Sequence, residues 1–312
     1  MNRILKFTLA ISLFLSYQTM AAQERAVTLE VETQSNKNVD FNFRKTDPGN
    51  YTVAISFTNL TNSSSRGTLF NANGYNGRLL SLVPTNKEQG IGYSYSYTWI
   101  RGKLKPKYDA NFIYLLPYKD EVKVEAIDSK FLGATYFGDT TPEDWKALRF
   151  YTSEQDTVTA IRKGIVVDIK DLYQSVDDSG VSYTSKTNEL TIEHEDGTIA
   201  TYRGFKKGSF TVKLGETVFP STSLGLNSRY DANGKFNISV IITYLKSSDF
   251  ANRSTVTRSK SMYGFINPHF MTADSADELL VSQKIYMAAS SPEIIKKEMT
   301  KKELKLYTAP KK

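Results

Sequence analysis

Residues 93 to 99 read Tyr-Ser-Tyr-Ser-Tyr-Thr-Trp, a strict alternation of aromatic and small hydroxyl side chains. In an extended strand successive side chains point to opposite faces, so this run turns its aromatics one way and its hydroxyls the other. Val27-Thr-Leu-Glu-Val31 and Tyr51-Thr-Val-Ala-Ile-Ser-Phe57 repeat the pattern. Turn-rich pieces separate them: Asp47-Pro-Gly-Asn50, residues 59–65 and residues 71–76. With 19 Tyr and 17 Phe, and many Val, Ile and Thr, the chain favours strands over helices. Short alternating strands with regular turns predict an antiparallel β-sandwich over residues 26–107.

Lys103 to Lys107, with Pro106, reads as a linker. A second β-rich block runs over 111–246, with strands predicted at Ala160–Ile169, Glu189–His194 and Lys235–Tyr244. The remainder, 247–312, adds one or two strands and a single helix opened by Ser291-Pro-Glu-Ile. The fold class expected is all-β, two β domains followed by a short C-terminal helix.

The first residues carry an address rather than structure. Arg3 and Lys6 precede an apolar run from Phe7 to Leu15, and the small residues Ala21 and Ala22 follow. That three-part layout predicts a signal peptide over 1–22 and an exported protein, periplasmic or secreted. The run is short for a bilayer span, and no later segment is long and apolar enough to cross one. No cysteine occurs, so neither an acylated cysteine nor a disulfide framework is available.

The formal charge is +7, and about +5 without Arg3 and Lys6. A basic exported protein is attracted to anionic polymers or surfaces, but the lysines and arginines are scattered. The densest group, Lys296, Lys297, Lys301, Lys302 and Lys305, alternates with acids and reads as a solvated face. No basic stripe accompanies a recognisable module, so nucleic acid is not an expected partner.

Catalytic chemistry is constrained by two histidines, His194 and His269, and the absence of any thiol. A catalytic zinc takes three protein ligands, usually from His, Cys, Asp and Glu. Two histidines 75 positions apart do not announce one. No Gly-x-Ser-x-Gly elbow or phosphate-cradling glycine loop is present. Asp177 and Asp178, and Glu193, Glu195 and Asp196, read as acids solvated in turns. His194 precedes Glu195-Asp196-Gly197, which reads as a tight hairpin turn with the glycine supplying positive φ. In that setting His194 supports the turn; His269, in Asn267-Pro-His-Phe, is a structural or exposed residue.

This hairpin, with its surroundings, resembles the M23 (lysostaphin or LytM) peptidase family. There a strand ending in Ile-x-His leads through an Asp-Gly or Asn-Gly turn into one ending Tyr-x-His-Leu. Leu115-Leu-Pro-Tyr118 is similar to the family's opening motif. Ala147-Leu-Arg-Phe150, Asp156-Thr-Val-Thr-Ala160 and Lys163-Gly-Ile-Val166 follow in family order. Val212-Lys-Leu-Gly215, Val218 and Leu224-Gly225 then lead to Asn237-Ile-Ser-Val240, where the family carries His-Leu-His-Phe. The resemblance covers about 114–244 and implies a LytM-type antiparallel β domain over 111–246.

It also implies a dismantled metal site. Active members hold zinc through a His, an Asp four residues later, and the second His of His-x-His. The first His of that pair and the His of Tyr-x-His-Leu act on the attacking water. By the resemblance Trp145 stands at the first ligand position, Arg149 at the carboxylate, Gly204 at the base, and Asn237 and Ser239 at the His-x-His pair. A guanidinium in place of a carboxylate repels a divalent cation. The expectation is therefore a pseudoenzyme with no catalytic residue, metal or cofactor. Its five former site positions would line a groove that binds peptidoglycan peptides or an envelope protein such as a cell-wall hydrolase. Arg149 would face a peptide carboxylate there. For each such residue alone, the plainer reading is filler: packing for Trp145, surface charge for Arg149. Two alternatives stay open: an active cell-wall metallopeptidase with a rearranged zinc site, and a purely structural exported β-protein.

Overall fold

A computed structural model describes residues 26–64, 67–129, 142–174, 186–229, 235–251 and 261–309. The expected signal peptide, 1–22, and the acids Asp177 and Asp178 lie outside the described residues.

Six strands come first: β1 (Val27–Thr33), β2 (Val39–Lys45), β3 (Tyr51–Thr61), β4 (Leu69–Ala72), β5 (Asn76–Leu82) and β6 (Gly92–Arg101). They form two three-stranded antiparallel sheets, in the orders β1-β2-β5 and β4-β3-β6. Val27, Phe41, Tyr51, Val53, Ile55 and Leu82 are buried in one apolar cluster. The alternating run lies in β6, and its aromatics pack against that cluster. Phe41 meets Tyr95 edge-on at 5.1 Å between ring centroids, and Tyr51 meets Trp99 at 5.5 Å.

The linker is docked. Gly102, at φ 106°, lets the chain pass close to Leu245 and Ile199, where a β-carbon would meet atoms at 3.3 and 3.4 Å. Leu104 then bridges Leu245, and the Lys105 amide donates to the Leu245 carbonyl at 2.8 Å.

Fourteen strands follow: β7 (Ile113–Leu115), β8 (Lys123–Asp128), β9 (Leu148–Thr152), β10 (Thr157–Thr159), β11 (Gly164–Lys170), β12 (Asn188–Glu193), β13 (Ile199–Phe205), β14 (Thr217–Val218), β15 (Ser223–Leu226), β16 (Phe236–Leu245), β17 (Tyr263–Phe265), β18 (His269–Met271), β19 (Glu278–Leu279) and β20 (Lys284–Met287). Nine of them make one sheet in the order β14-β11-β12-β13-β16-β9-β8-β20, with β17 also on β16. One face carries the core, including Phe150, Val166, Ile192, Tyr202, Ile238, Phe270 and Tyr286. Among the described residues two short α-helices, α1 (Pro292–Lys296) and α2 (Lys301–Thr308), follow the strands.

The strands predicted at Glu189–His194 and Lys235–Tyr244 are present as β12 and β16, within a residue of their expected ends. The strand expected over Ala160–Ile169 is not continuous. β10 pairs with β15, the chain leaves the ladder at Ala160, and β11 begins at Gly164. The Ile161 amide donates to the Tyr202 hydroxyl at 3.0 Å, and the Ile161 carbonyl accepts from Leu115. The single helix expected after Ser291 is two, because Thr300 adopts extended backbone and caps α2 reciprocally with Glu303. Four strands rather than one or two lie between 261 and 289, and β18 pairs in parallel with β7.

Candidate functional site

The nine-stranded sheet has a polar face opposite its core. On β16, Ile238, Val240 and Ile242 pack inward, so alternation turns Asn237 and Ser239 to the other side. Arg149 and Tyr151 do the same on β9, whose Leu148 and Phe150 belong to the core. The cross-strand register then lines up one row across the sheet: Ile127, Arg149, Ser239, Arg203, Glu189 and Lys170. Ser239 lies between the two arginines. Arg203 pairs with Glu189 at 2.9 Å, and Lys170 reaches the same carboxylate at 3.8 Å. Arg149 donates to the Tyr151 hydroxyl at 3.3 Å.

Gly204 borders this row through its backbone. Its carbonyl accepts from both the amide and the hydroxyl of Ser228 at 2.9 Å, and the Asn237 amide donates to the Ser228 carbonyl at 3.1 Å. Gly204 has φ 111°, which strains any residue with a β-carbon. A histidine would sit poorly there on backbone grounds alone. Trp145 stands apart from the other four positions. Its ring packs on Phe265 at 4.8 Å and its indole N–H donates to the Ser129 carbonyl at 3.4 Å. Phe265 pairs with Thr243, four residues along β16 from Ser239, a separation of roughly 13 Å in a strand. The sheet thus brings Arg149, Gly204, Asn237 and Ser239 onto three adjacent strands and leaves Trp145 beside the far end of β16.

Neither histidine joins them. His194 follows β12 directly, and Gly197 closes the hairpin at φ 87°. The carbonyl of Lys163 can only accept, so the His194 contact to it at 2.7 Å places the ring proton on Nδ1. Burial, aided by the Arg162 charge, pushes the His194 pKa down to about 3 and keeps the ring neutral. His269, on β18, contacts Asp277 at 2.6 Å.

A zinc ion does not fit the polar row. Arginine has no lone pair to offer, and Ser and Asn are weak donors compared with imidazole or carboxylate. Among the described residues, no group of three or more His, Cys, Asp or Glu side chains is placed to hold a metal.

Glu193 was not legible as a special residue. It is buried rather than solvated in a turn. Its carboxylate accepts from the Asn50 amide at 2.7 Å and from the Asn50 side chain, tying β12 to the turn before β3. Beside it Asp47 accepts from the Tyr51 hydroxyl at 2.8 Å and from both Arg101 terminal nitrogens at 3.0 and 3.2 Å. Lys45 donates to the Gly49 carbonyl. Burial raises the Glu193 pKa against the opposing bonds from Asn50, and burial lowers Lys45 to about 8. A cleft of about 310 Å³ opens next to this joint, between Gly49 and Asn50, Lys163 to Ile165, and Glu298 and Glu303.

No family model matches this sequence, and no curated protein matches it. Solved structures do show similarity. One is a novel M23 metalloprotease, pseudoalterin, from the deep sea, at 15% identity over 41% of this chain and 70% of that one, with a TM-score of 0.27. A zinc-containing peptidase from Vibrio cholerae is 11% identical over 69% and 81% of the two chains, with a TM-score of 0.30. The SpoIIQ–SpoIIIAH pore-forming complex gives 14% identity over 43% and 85%, also at 0.30. M23 peptidases are among its structural neighbours. At these TM-scores the likenesses carry no argument about how this chain works.

Proposed function

We propose that this chain is a non-catalytic, M23-like protein of the cell envelope, whose polar sheet face receives an extended peptide. The peptide is a peptidoglycan stem peptide or a segment of an envelope protein such as a cell-wall hydrolase. The reading divides the exported chain into a sandwich at 26–107, an M23-like unit at 111–246 and an extension at 247–312. One observation carries it: Arg149 and Arg203 flank Ser239 in register, on strands that the sequence resemblance aligns with those around the M23 zinc. Guanidinium groups match a carboxylate and repel a cation; Arg203 already holds Glu189 at 2.9 Å, and Arg149 and Ser239 are buried, so an incoming carboxylate competes with contacts inside the chain. Both histidines are engaged elsewhere, one with a backbone carbonyl and one with Asp277. A strand-built floor suits an extended ligand, whose alternate side chains meet it.

The test incubates the purified protein with peptidoglycan sacculi, with and without added zinc, and analyses pellet and supernatant. Retention in the pellet with no released stem peptides is expected. Arg149→Met with Arg203→Met should cut retention about tenfold, the loss of one charge-assisted pair, with near-ultraviolet dichroism reporting that the fold survives. Zinc-dependent release of stem peptides would overturn the reading in favour of an active peptidase. Absence of retention, combined with no effect on an envelope amidase, would overturn it too.

A further inference from the structure

The two C-terminal helices sort their charges by side. No residue of α1 or α2 is buried, yet the acids nearest the body turn inward. The Glu298 carboxylate pairs with Arg162 at 2.6 Å, and Glu303 pairs with Lys163 at 2.8 Å. Most of the lysines lie on the outer side. Lys301, Lys302 and Lys305 are exposed and Lys296 lies over the Tyr307 ring at 5.5 Å, while Lys297 sets its ammonium over the Phe112 ring at 4.4 Å. Glu293 is the one exposed acid of this segment. An alternation that reads as charge-balanced in sequence is therefore cationic outward in the fold.

This basic surface borders an apolar one. Leu306 is 69% exposed and Tyr307 49%. With Phe219, Pro220, Ile295 and Met299 they line an open groove of about 550 Å³. A single exposed leucine signifies little. An apolar groove on the same helices as exposed lysines, with Glu298 and Glu303 neutralised from beneath, has the chemistry of an interfacial anchor. Such anchors insert apolar side chains at the acyl boundary while their lysines meet acidic headgroups. A second copy is a poorer occupant, because a two-fold contact sets the same lysines against each other.

We propose that this face docks on an anionic phospholipid surface. The inference does not depend on what the polar sheet face binds. It is tested by co-sedimenting the full chain with phosphatidylcholine vesicles and with vesicles containing roughly one-third phosphatidylglycerol, an acidic surface that lysines should favour by about tenfold or more. High salt should reverse that preference. Lys301→Gln, Lys302→Gln and Lys305→Gln together should abolish it. Leu306→Ser with Tyr307→Ser should weaken binding severalfold, with circular dichroism unchanged. The apolar run from Phe7 to Leu15 is common to all variants, so differences between them report on the C-terminal face. Equal binding to both vesicle types, or a lysine variant that binds as well as the parent, overturns the proposal. So does self-association without vesicles that the same substitutions remove, since that assigns the face to a second copy.

Discussion

Glu193 and Asn50, 143 residues apart, are joined by two hydrogen bonds into one carboxylate. The contact ties the hairpin end of the large sheet to the turn between β2 and β3. Lys45 and Arg101 act on the same carboxylate electrostatically, so this joint between the β1–β6 unit and the large sheet is polar and largely dry. A buried charge with its partners in place is tolerated; the same site with a partner removed is strongly destabilised.

Glu193→Gln should therefore weaken the joint by about 1.5–3 kcal/mol, the range for hydrogen bonds to charged groups. The new amide sets a donor against an Asn50 donor. A lower thermal midpoint is the readout, with the cleft beside Asn50 becoming easier to label or proteolyse. The parent also has a sign to check. A carboxyl whose folded pKa is raised adds stability below its unfolded value and loses it as pH rises through the folded one. The variant should lack that acid-side gain.

Lys45 gives the opposite slope at alkaline pH. Its pKa falls from 10.5 to about 8 on folding, so the unfolded chain holds more protons between those values. Stability from this group should rise as pH increases from 8 toward 10.5 and be lost as pH falls back through 8. Thermal midpoints measured across that window should show the rise in the parent and a flatter profile in Lys45→Met.

His194 should remain neutral in the folded protein throughout the mildly acidic range. Its pKa drops from 6.5 to about 3, so unfolding between those values takes up a proton. Each pH unit of acidification there should remove about 1.4 kcal/mol of stability, one proton's worth of linkage. His194→Gln should lack this dependence. Nitrogen NMR of the parent at pH 5 should show an unprotonated Nε2 and a proton on Nδ1.

Periodicity made β6, β12 and β16 legible, because each needs only a two-residue alternation to face a core. Gly197 was equally readable, since a tight turn demands its φ. The break at Ala160 to Lys163 was hidden: Ile-Arg-Lys looks strand-like until Tyr202, 41 residues on, takes the Ile161 amide. Glu193 was hidden for the same reason, since its burial depends on Asn50 from a distant turn. The row around Ser239 followed from register once β9, β13 and β16 were adjacent. Trp145 did not, because it lies before β9, where no ladder fixes its position.

Arg162 should prove to be the clamp for the C-terminal helices. It is buried, stacks over Phe112 at 3.7 Å, and bonds Asp196 at 2.8 Å and Glu298 at 2.6 Å. Arg162→Met strands two carboxylates, a loss of about 3–5 kcal/mol for a broken buried network. Trypsin should then cut among Lys296 to Lys305 much faster than in the parent, while the large sheet keeps its near-ultraviolet dichroism.

Placing M23 ligand types at these positions should not create a metal centre. The replacement Arg149→Asp with Ser239→His sets a carboxylate beside an imidazole across β9 and β16, because those residues are register partners. A third ligand from Trp145→His would have to travel from beside Phe265, roughly 13 Å along the strand. Two ligands hold zinc far less tightly than the three or four of stable sites. The triple variant should therefore carry well under one zinc per chain by elemental analysis after dialysis. Stoichiometric, dialysis-resistant zinc would mean that the segment before β9 can bring residue 145 to the row, and that side chains alone keep a metal from binding there.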